Sequence, residues 1–221
     1  MKWISSPLNR ESSRILCLIF TVEAIIYLSL LIYTNQYILT KDVLLPSLYY
    51  VEADIQADFA TDLARAKMLS YLLMPLLFGC KLACIAVAIY AVLQVYNFEL
   101  TVKDVFSMLL TAELVFIVVA LFKIVAWNIL MPVRSIEDLE AYKIPSLLNV
   151  FPIDKASPFY FLFQAINLAE MNYLLVIGLL LSKRLQIGLR KAMLYSTLSY
   201  GSIFFIWILL VSFIQYLYRP L

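Results

Sequence analysis

A chain of 221 residues that is 64% hydrophobic and only 14% charged cannot hide its apolar surface in one water-soluble core. Its mean hydropathy of +0.90 makes a bilayer the solvent for much of it. A net charge of +2 is too small to point to nucleic acid, and the absence of histidine excludes serine–histidine and cysteine–histidine catalysis.

Five apolar runs are long enough to cross a hydrocarbon core, which takes about 20 helical residues. They are Ile15–Leu39, Met68–Val95, Val105–Met131, Phe159–Leu181 and Ala192–Leu217. Long runs without two-residue alternation predict helices rather than a barrel. The expected fold is all-α: a single polytopic membrane domain over residues 1–221, a bundle of five transmembrane helices with a short amphipathic helix in the first outer loop.

The first run carries Glu23. It is longer than the apolar region of a signal peptide, and "LIYTNQYILT" offers no small-residue cleavage site, so it reads as a retained span. In the loop after it, Pro46 is placed to open a helix. Leu48, Val51, Ile55, Phe59 and Leu63 then recur at three- and four-residue spacing, one amphipathic stripe. Asp54, Asp58 and Asp62 form a second stripe. Stacked carboxylates suit a cation, but helical loops commonly carry a solvated charged face, and that reading is preferred.

The second run holds Lys81 at its middle, beside Cys80 and Cys84. The two thiols share a helix face, but that run supplies no third thiol or histidine, so no metal site is expected. Cys17 also falls in an apolar run, and the three cysteines read as small membrane residues rather than a disulfide framework. The third run carries Glu113 and Lys123, ten residues apart. That is about 15 Å along one axis, too far for direct pairing.

The second outer loop, "PVRSIEDLEAYKIPSLLNVFPIDKASPF", contains four prolines. Ser135 is placed to cap a short helix through Tyr142, with Asp138 as its capping-box partner. "IPSLLNVFPI", residues 144–153, is apolar, proline-bounded and too short to span; a re-entrant segment and an ordinary buried loop both fit it. The fourth run sets Gln164, Asn167 and Glu170 at i, i+3 and i+6, a polar stripe on one helix, with Asn172 nearby. The turn Ser182–Lys191 holds Lys183, Arg184, Arg190 and Lys191 without an acid. The fifth run has the small residues Ser196, Ser199, Gly201 and Ser202, which let helices approach closely.

The basic turn, the N-terminal tail with Lys2, Arg10 and Arg14, and the loop with Lys103 fall on one side of a five-span chain. The positive-inside rule makes that side cytoplasmic, which puts the N-terminus in and the C-terminus out.

Glu23, Lys81, Glu113, Lys123 and Glu170 form the expected intramembrane charge network. Each is costly in hydrocarbon, so each should face the bundle interior and find a partner. By depth, Lys81 can reach Glu113 or Glu170, and Lys123 can reach Glu170 or snorkel outward. Two readings follow. The charges line an ion- or proton-coupled pathway, with Glu170 titrating and Lys81 tuning it, or they are buried pairs that fix helix register. The near balance of acids and bases favours pairing.

Phosphate-binding, hydrolase and zinc-protease motifs are absent, and no aspartate lies in a span to make an intramembrane protease. No catalytic residues, metal or cofactor are expected.

The stretch "IPSLLNVFPIDKASPFYFLFQAINLAEMNYLLVIGLLLSK" has an apolar "SLLN" segment and a polar break. It continues with "INLAEMNYLLVIGLL", a basic turn and a further span after "LRKA". This C-terminal third resembles the Yip family, five-span membrane proteins related to Rab-interacting trafficking factors and also present in bacteria. The resemblance implies a non-enzymatic scaffold, adaptor or membrane-organising subunit. Its expected partners are the lipid bilayer and other membrane proteins or further copies of itself, with no nucleic acid. A tail of some 14 residues before the first span is short for recruiting GTPases and suits a bacterial member, in the inner membrane.

Overall fold

The computed structural model describes residues 7–40, 43, 53–130, 133, 138, 144–154, 157 and 159–217. Every element among them is helical, apart from one isolated backbone bridge between Ser146 and Asn167. In order they are α1 (Pro7–Tyr33), α2 (Ala53–Val95), α3 (Val102–Val125), α4 (Leu147–Val150), α5 (Tyr160–Ala165), α6 (Leu168–Leu185), α7 (Leu189–Ser196) and α8 (Ser202–Leu217). Three five-residue π-helical segments interrupt or extend them: Thr34–Ile38 after α1, Ala126–Leu130 after α3, and Thr197–Gly201 between α7 and α8.

Among the described residues, four helical stretches are long and apolar enough to cross a membrane: Ser13–Ile38, Thr61–Val95, Val102–Ile129 and Leu189–Ile214. They correspond to the first, second, third and fifth apolar runs. The fourth run is broken. Its helix stops at Ala165 and restarts at Leu168, and Asn167 caps the restart by accepting hydrogen bonds from the Ala169 and Glu170 amides at 2.9 and 3.1 Å. This satisfies two of the donors that a helix start leaves open. The polar stripe expected from Gln164 through Asn167 to Glu170 is therefore not one helix face. Gln164 lies on α5, Asn167 is the cap, Glu170 sits in the first turn of α6, and Asn172 is exposed.

The amphipathic segment of the first outer loop does not stand apart from the second span. From Ala53 the backbone runs in one helix to Val95. No glycine or proline separates the two in "ADIQADFATDLARAKML", so nothing stops the helix. Leu48 and Val51 lie outside the described residues, as does the expected helix from Ser135 to Tyr142 apart from Asp138. Asp62 is exposed and lies 3.7 Å from Arg65 one turn on, a solvated arrangement. Pro75 sits inside α2 without an amide to donate to the Tyr71 carbonyl, a gap tolerated in membrane-type helices.

The described residues form two compact units, residues 1–80 with 120–139, and residues 81–119 with 140–221. In the first, Phe20 stacks on Phe78 at 5.4 Å and Tyr27 meets the same ring at 5.0 Å. Lys67 donates to the Asn35 and Leu39 carbonyls at 2.8 and 2.7 Å and so closes the π-helical end of α1. The Tyr33 hydroxyl donates to Asn128 Oδ1 at 3.2 Å, joining two of the π-helical ends. Ile15, Leu18, Ile19, Val22 and Ile25 of α1 are exposed, and only 6% of its apolar window is buried, as for a helix whose solvent is lipid.

In the second unit, α2 buries Leu82, Ile85, Ala86, Ile89 and Leu93, one helical stripe. From α3 come Val105, Leu109, Ala112 and Glu113, and from α6 Ala169, Tyr173, Ile177 and Leu181. The α6–α7 hairpin turns through Gln186, which takes the left-handed conformation at φ 54°, and closes tightly at Gly178, where an added Cβ would meet Met193 Sδ at 2.3 Å. The Ser196 hydroxyl donates to the Leu174 carbonyl at 3.1 Å across the same interface. At the open end of α3, Thr101 and Asp104 form a reciprocal cap. Asp104 also accepts from Arg184 at 2.6 Å, tying the start of α3 to the end of α6.

Ahead of α6, the Leu147 amide donates to the Ile166 carbonyl at 3.0 Å and the Leu168 amide to the Pro145 carbonyl at 2.9 Å. Two extended pieces of chain thus hold each other at the break. Segment 144–153 is therefore not uniform: an extended start, then the single turn of α4, whose Asn149 side chain accepts from the Ser146 amide at 2.9 Å.

Candidate functional site

The second unit gathers three of the five expected intramembrane charges. Lys81, from α2, places Nζ 2.8 Å from Glu113 Oε1 and 3.0 Å from Oε2. Glu113 lies on the buried face of α3 with no exposed surface, while 40% of the Lys81 side chain remains accessible. The lysine thus runs its stem over the surface and turns its ammonium inward, as amphipathic side chains do. There the ammonium stands 4.3 Å from the Phe116 ring centroid and 5.2 Å from that of Tyr173, close enough for cation–π attraction to both.

The rings continue the cluster. Phe116 and Tyr173 are 4.8 Å apart, Tyr173 meets Tyr200 edge-on at 4.9 Å, and Tyr200 stacks on Phe204 at 5.8 Å. Tyr200 donates its hydroxyl to Glu170 Oε2. It reaches this position because the π-helical segment Thr197–Gly201 turns both Ser199 and Tyr200 to the buried side. Glu170 is held from its own end as well, since its amide is capped by Asn167. Lys81 and Glu113 both act on Glu170 electrostatically.

Depth along the helices follows from 1.5 Å per residue. Measured from the Asp104–Arg184 contact, Glu113 lies about 14 Å up α3 and Glu170 about 21 Å along α6. The two carboxyls thus lie at different heights above that contact, Glu170 the farther of the two.

The remaining expected charges are elsewhere. Glu23 is buried in the first unit, with 4% of its surface exposed. Lys123, also in the first unit, stands 6.0 Å from the Trp127 ring. Cys17, Cys80 and Cys84 are exposed free thiols. Among the described residues no three acidic or thiol side chains converge as metal ligands do.

Sequence reasoning passed over Phe116, Tyr173 and Tyr200. In a chain with 15 tyrosines and 14 phenylalanines, an aromatic residue inside a span carries no signal of its own. Their positions at helical spacing from the charges were the one available sign. Phe116 follows Glu113 by three residues, and so does Tyr173 follow Glu170.

Chemically, the cluster has a neutralised ion pair, a second carboxyl held by a phenol, and aromatic walls. Comparison of the chain with family models, curated proteins and solved structures finds no match.

Proposed function

We propose that the protein is a non-enzymatic, membrane-embedded scaffold or adaptor, a five-span member of the Yip group in a bacterial inner membrane. The observation that carries the non-catalytic reading is the direct contact of Lys81 with Glu113 under two aromatic rings. Of the charges that a carrier would present to a passing ion, Lys81 and Glu113 are engaged with each other and Lys81 with protein rings, and Glu170 accepts from the Tyr200 hydroxyl. Such buried pairs serve register and helix specificity. The exposed apolar surface of α1 leaves room for lipid or for a neighbouring helix.

The fifth span in this reading is α6. Its 18 residues measure about 27 Å, nearly the thickness of the hydrocarbon core. Glu170 near one end and Lys183 and Arg184 at the other keep it from being apolar throughout. With α6 counted, the Lys183–Lys191 turn and the N-terminus share the cytoplasmic side and the C-terminus is outside.

The test is affinity purification of the tagged chain in mild detergent from its own membranes. A stoichiometric membrane partner, or a defined homo-oligomer, is expected. A monomer recovered alone in repeated preparations contradicts the scaffold reading, and pH-driven flux in proteoliposomes that Glu170→Gln abolishes replaces it with a carrier.

A further inference from the structure

The cluster holds two carboxyls, Glu113 and Glu170, and among the described residues one cation, Lys81. The Lys81–Glu113 contact at 2.8 Å, with the ammonium set over two rings, is the geometry of an ionised pair and is neutral as a unit. Glu170 stands outside that pair and is bound by an uncharged phenol. Were it ionised, the cluster would carry one net negative charge. A net charge within hydrocarbon is costly by several kcal/mol even on lenient scales, and one proton removes it.

From this charge count and geometry we propose that Glu170 is a proton-binding site whose occupancy is set by the Lys81–Glu113 pair. The charged and titratable groups acting on it are Tyr200 from the π-helical segment, Lys81 from α2, Glu113 from α3, and Tyr173 from its own helix. The phenol suits both protonation states, because Tyr200 donates to Glu170 Oε2 whether the other oxygen is bare or carries hydrogen. Binding is simple protonation: one proton from water joins the carboxylate, one O–H bond forms and no other bond changes. The ion pair acts as the setting. While Glu113 neutralises Lys81, Glu170 keeps its proton, and where a neutral side chain replaces Glu113, Lys81 draws the negative form of Glu170 instead.

The inference rests on α6 crossing the bilayer, so the experiment reports that separately. The full-length protein in lipid nanodiscs is studied by infrared spectroscopy at neutral pH, with amide hydrogen exchange of α6 measured on the same samples. Slow exchange along α6 is expected from a buried span. Fast exchange overturns the span and the proton site with it, whatever the carboxyl bands show. With α6 protected, the wild type should show a protonated-carboxyl carbonyl band that Glu170→Gln removes, while its melting temperature stays near the wild-type value because an amide imitates the neutral acid. Glu113→Gln should also remove that band, as Glu170 ionises to replace the lost partner of Lys81. Lys81→Met should instead add a second protonated-carboxyl band, from Glu113, and it serves where Glu113→Gln does not fold. No band lost in Glu170→Gln, or a Glu170→Gln protein that no longer folds, overturns the proposal, since either result means that the ionised carboxylate is the native form.

Discussion

Lys81 shows how one residue is disciplined by its surroundings. Its stem is partly accessible, yet its charge is spent on Glu113 and on the faces of Phe116 and Tyr173. Removing it leaves Glu113 fully buried without that counter-charge. Breaking such pairs in protein interiors costs about 3–5 kcal/mol, and the accessible stem of Lys81 discounts this to about 2–3 kcal/mol. Lys81→Met should therefore lower the unfolding midpoint in detergent markedly, and the double variant Lys81→Met/Glu113→Leu should recover most of the loss. Equal instability of single and double variants would show that the pair is not what Lys81 contributes. Depth in the sequence short-listed Glu113 and Glu170 as partners of Lys81; which of the two it meets was not legible, because that depends on how the helices are rotated. The aromatic half of the site was not legible, since ring geometry depends on the helix rotation that the π-helical segment Thr197–Gly201 introduces.

Among the elements, α6 and α7 give the clearest case of helix contact set by a missing side chain. Gly178 lies against Met193, and a Cβ there would fall 2.3 Å from the sulfur. Gly178→Leu should destabilise the hairpin by about 1–3 kcal/mol through overpacking. Met193→Ala should return part of that loss, and thermal unfolding of the two single variants and the double variant reads the coupling. Strict additivity would mean that the two residues do not meet. The break ahead of α6 teaches a different lesson about reading sequence. Hydropathy runs unbroken from Phe159 to Leu181 and so hides it, yet Asn167 followed three residues later by Glu170 has the spacing of a helix start. Thr101 and Asp104 follow the same rule at the start of α3. In an apolar run the polar residues at this spacing mark where a helix begins, and counting them as a stripe misplaced them. The length of α2 was misread for the opposite reason: a change from amphipathic to apolar composition looked like a boundary, but the backbone ends only where a breaker or cap makes it end.

For the molecule as a whole, composition settled the helical class, because backbone groups in lipid have to be satisfied within each segment. The break in the fourth run bears on how the chain enters the membrane during synthesis. A translocation channel judges each segment by its own hydrophobicity, charging about 2.5–3.5 kcal/mol for a cation or aspartate at mid-helix. Among the described residues four stretches are long and apolar enough to pass such a test, and α6, with Glu170, Lys183 and Arg184, is not among them. In the proposed five-span reading, the contacts that would make α6 acceptable to lipid come from residues made after it: Met193 against Gly178, Ser196 on the Leu174 carbonyl, and Tyr200 on Glu170. Insertion of α6 should then wait for its successor, the two entering together as a helical hairpin. In a glycosylation-site reporter, residues 159–187 alone should fail to integrate, whereas residues 159–217 should place both helices across the bilayer. Efficient integration of the shorter piece would disprove the dependence. In that order of synthesis, a later-made stretch would decide the fate of the one before it.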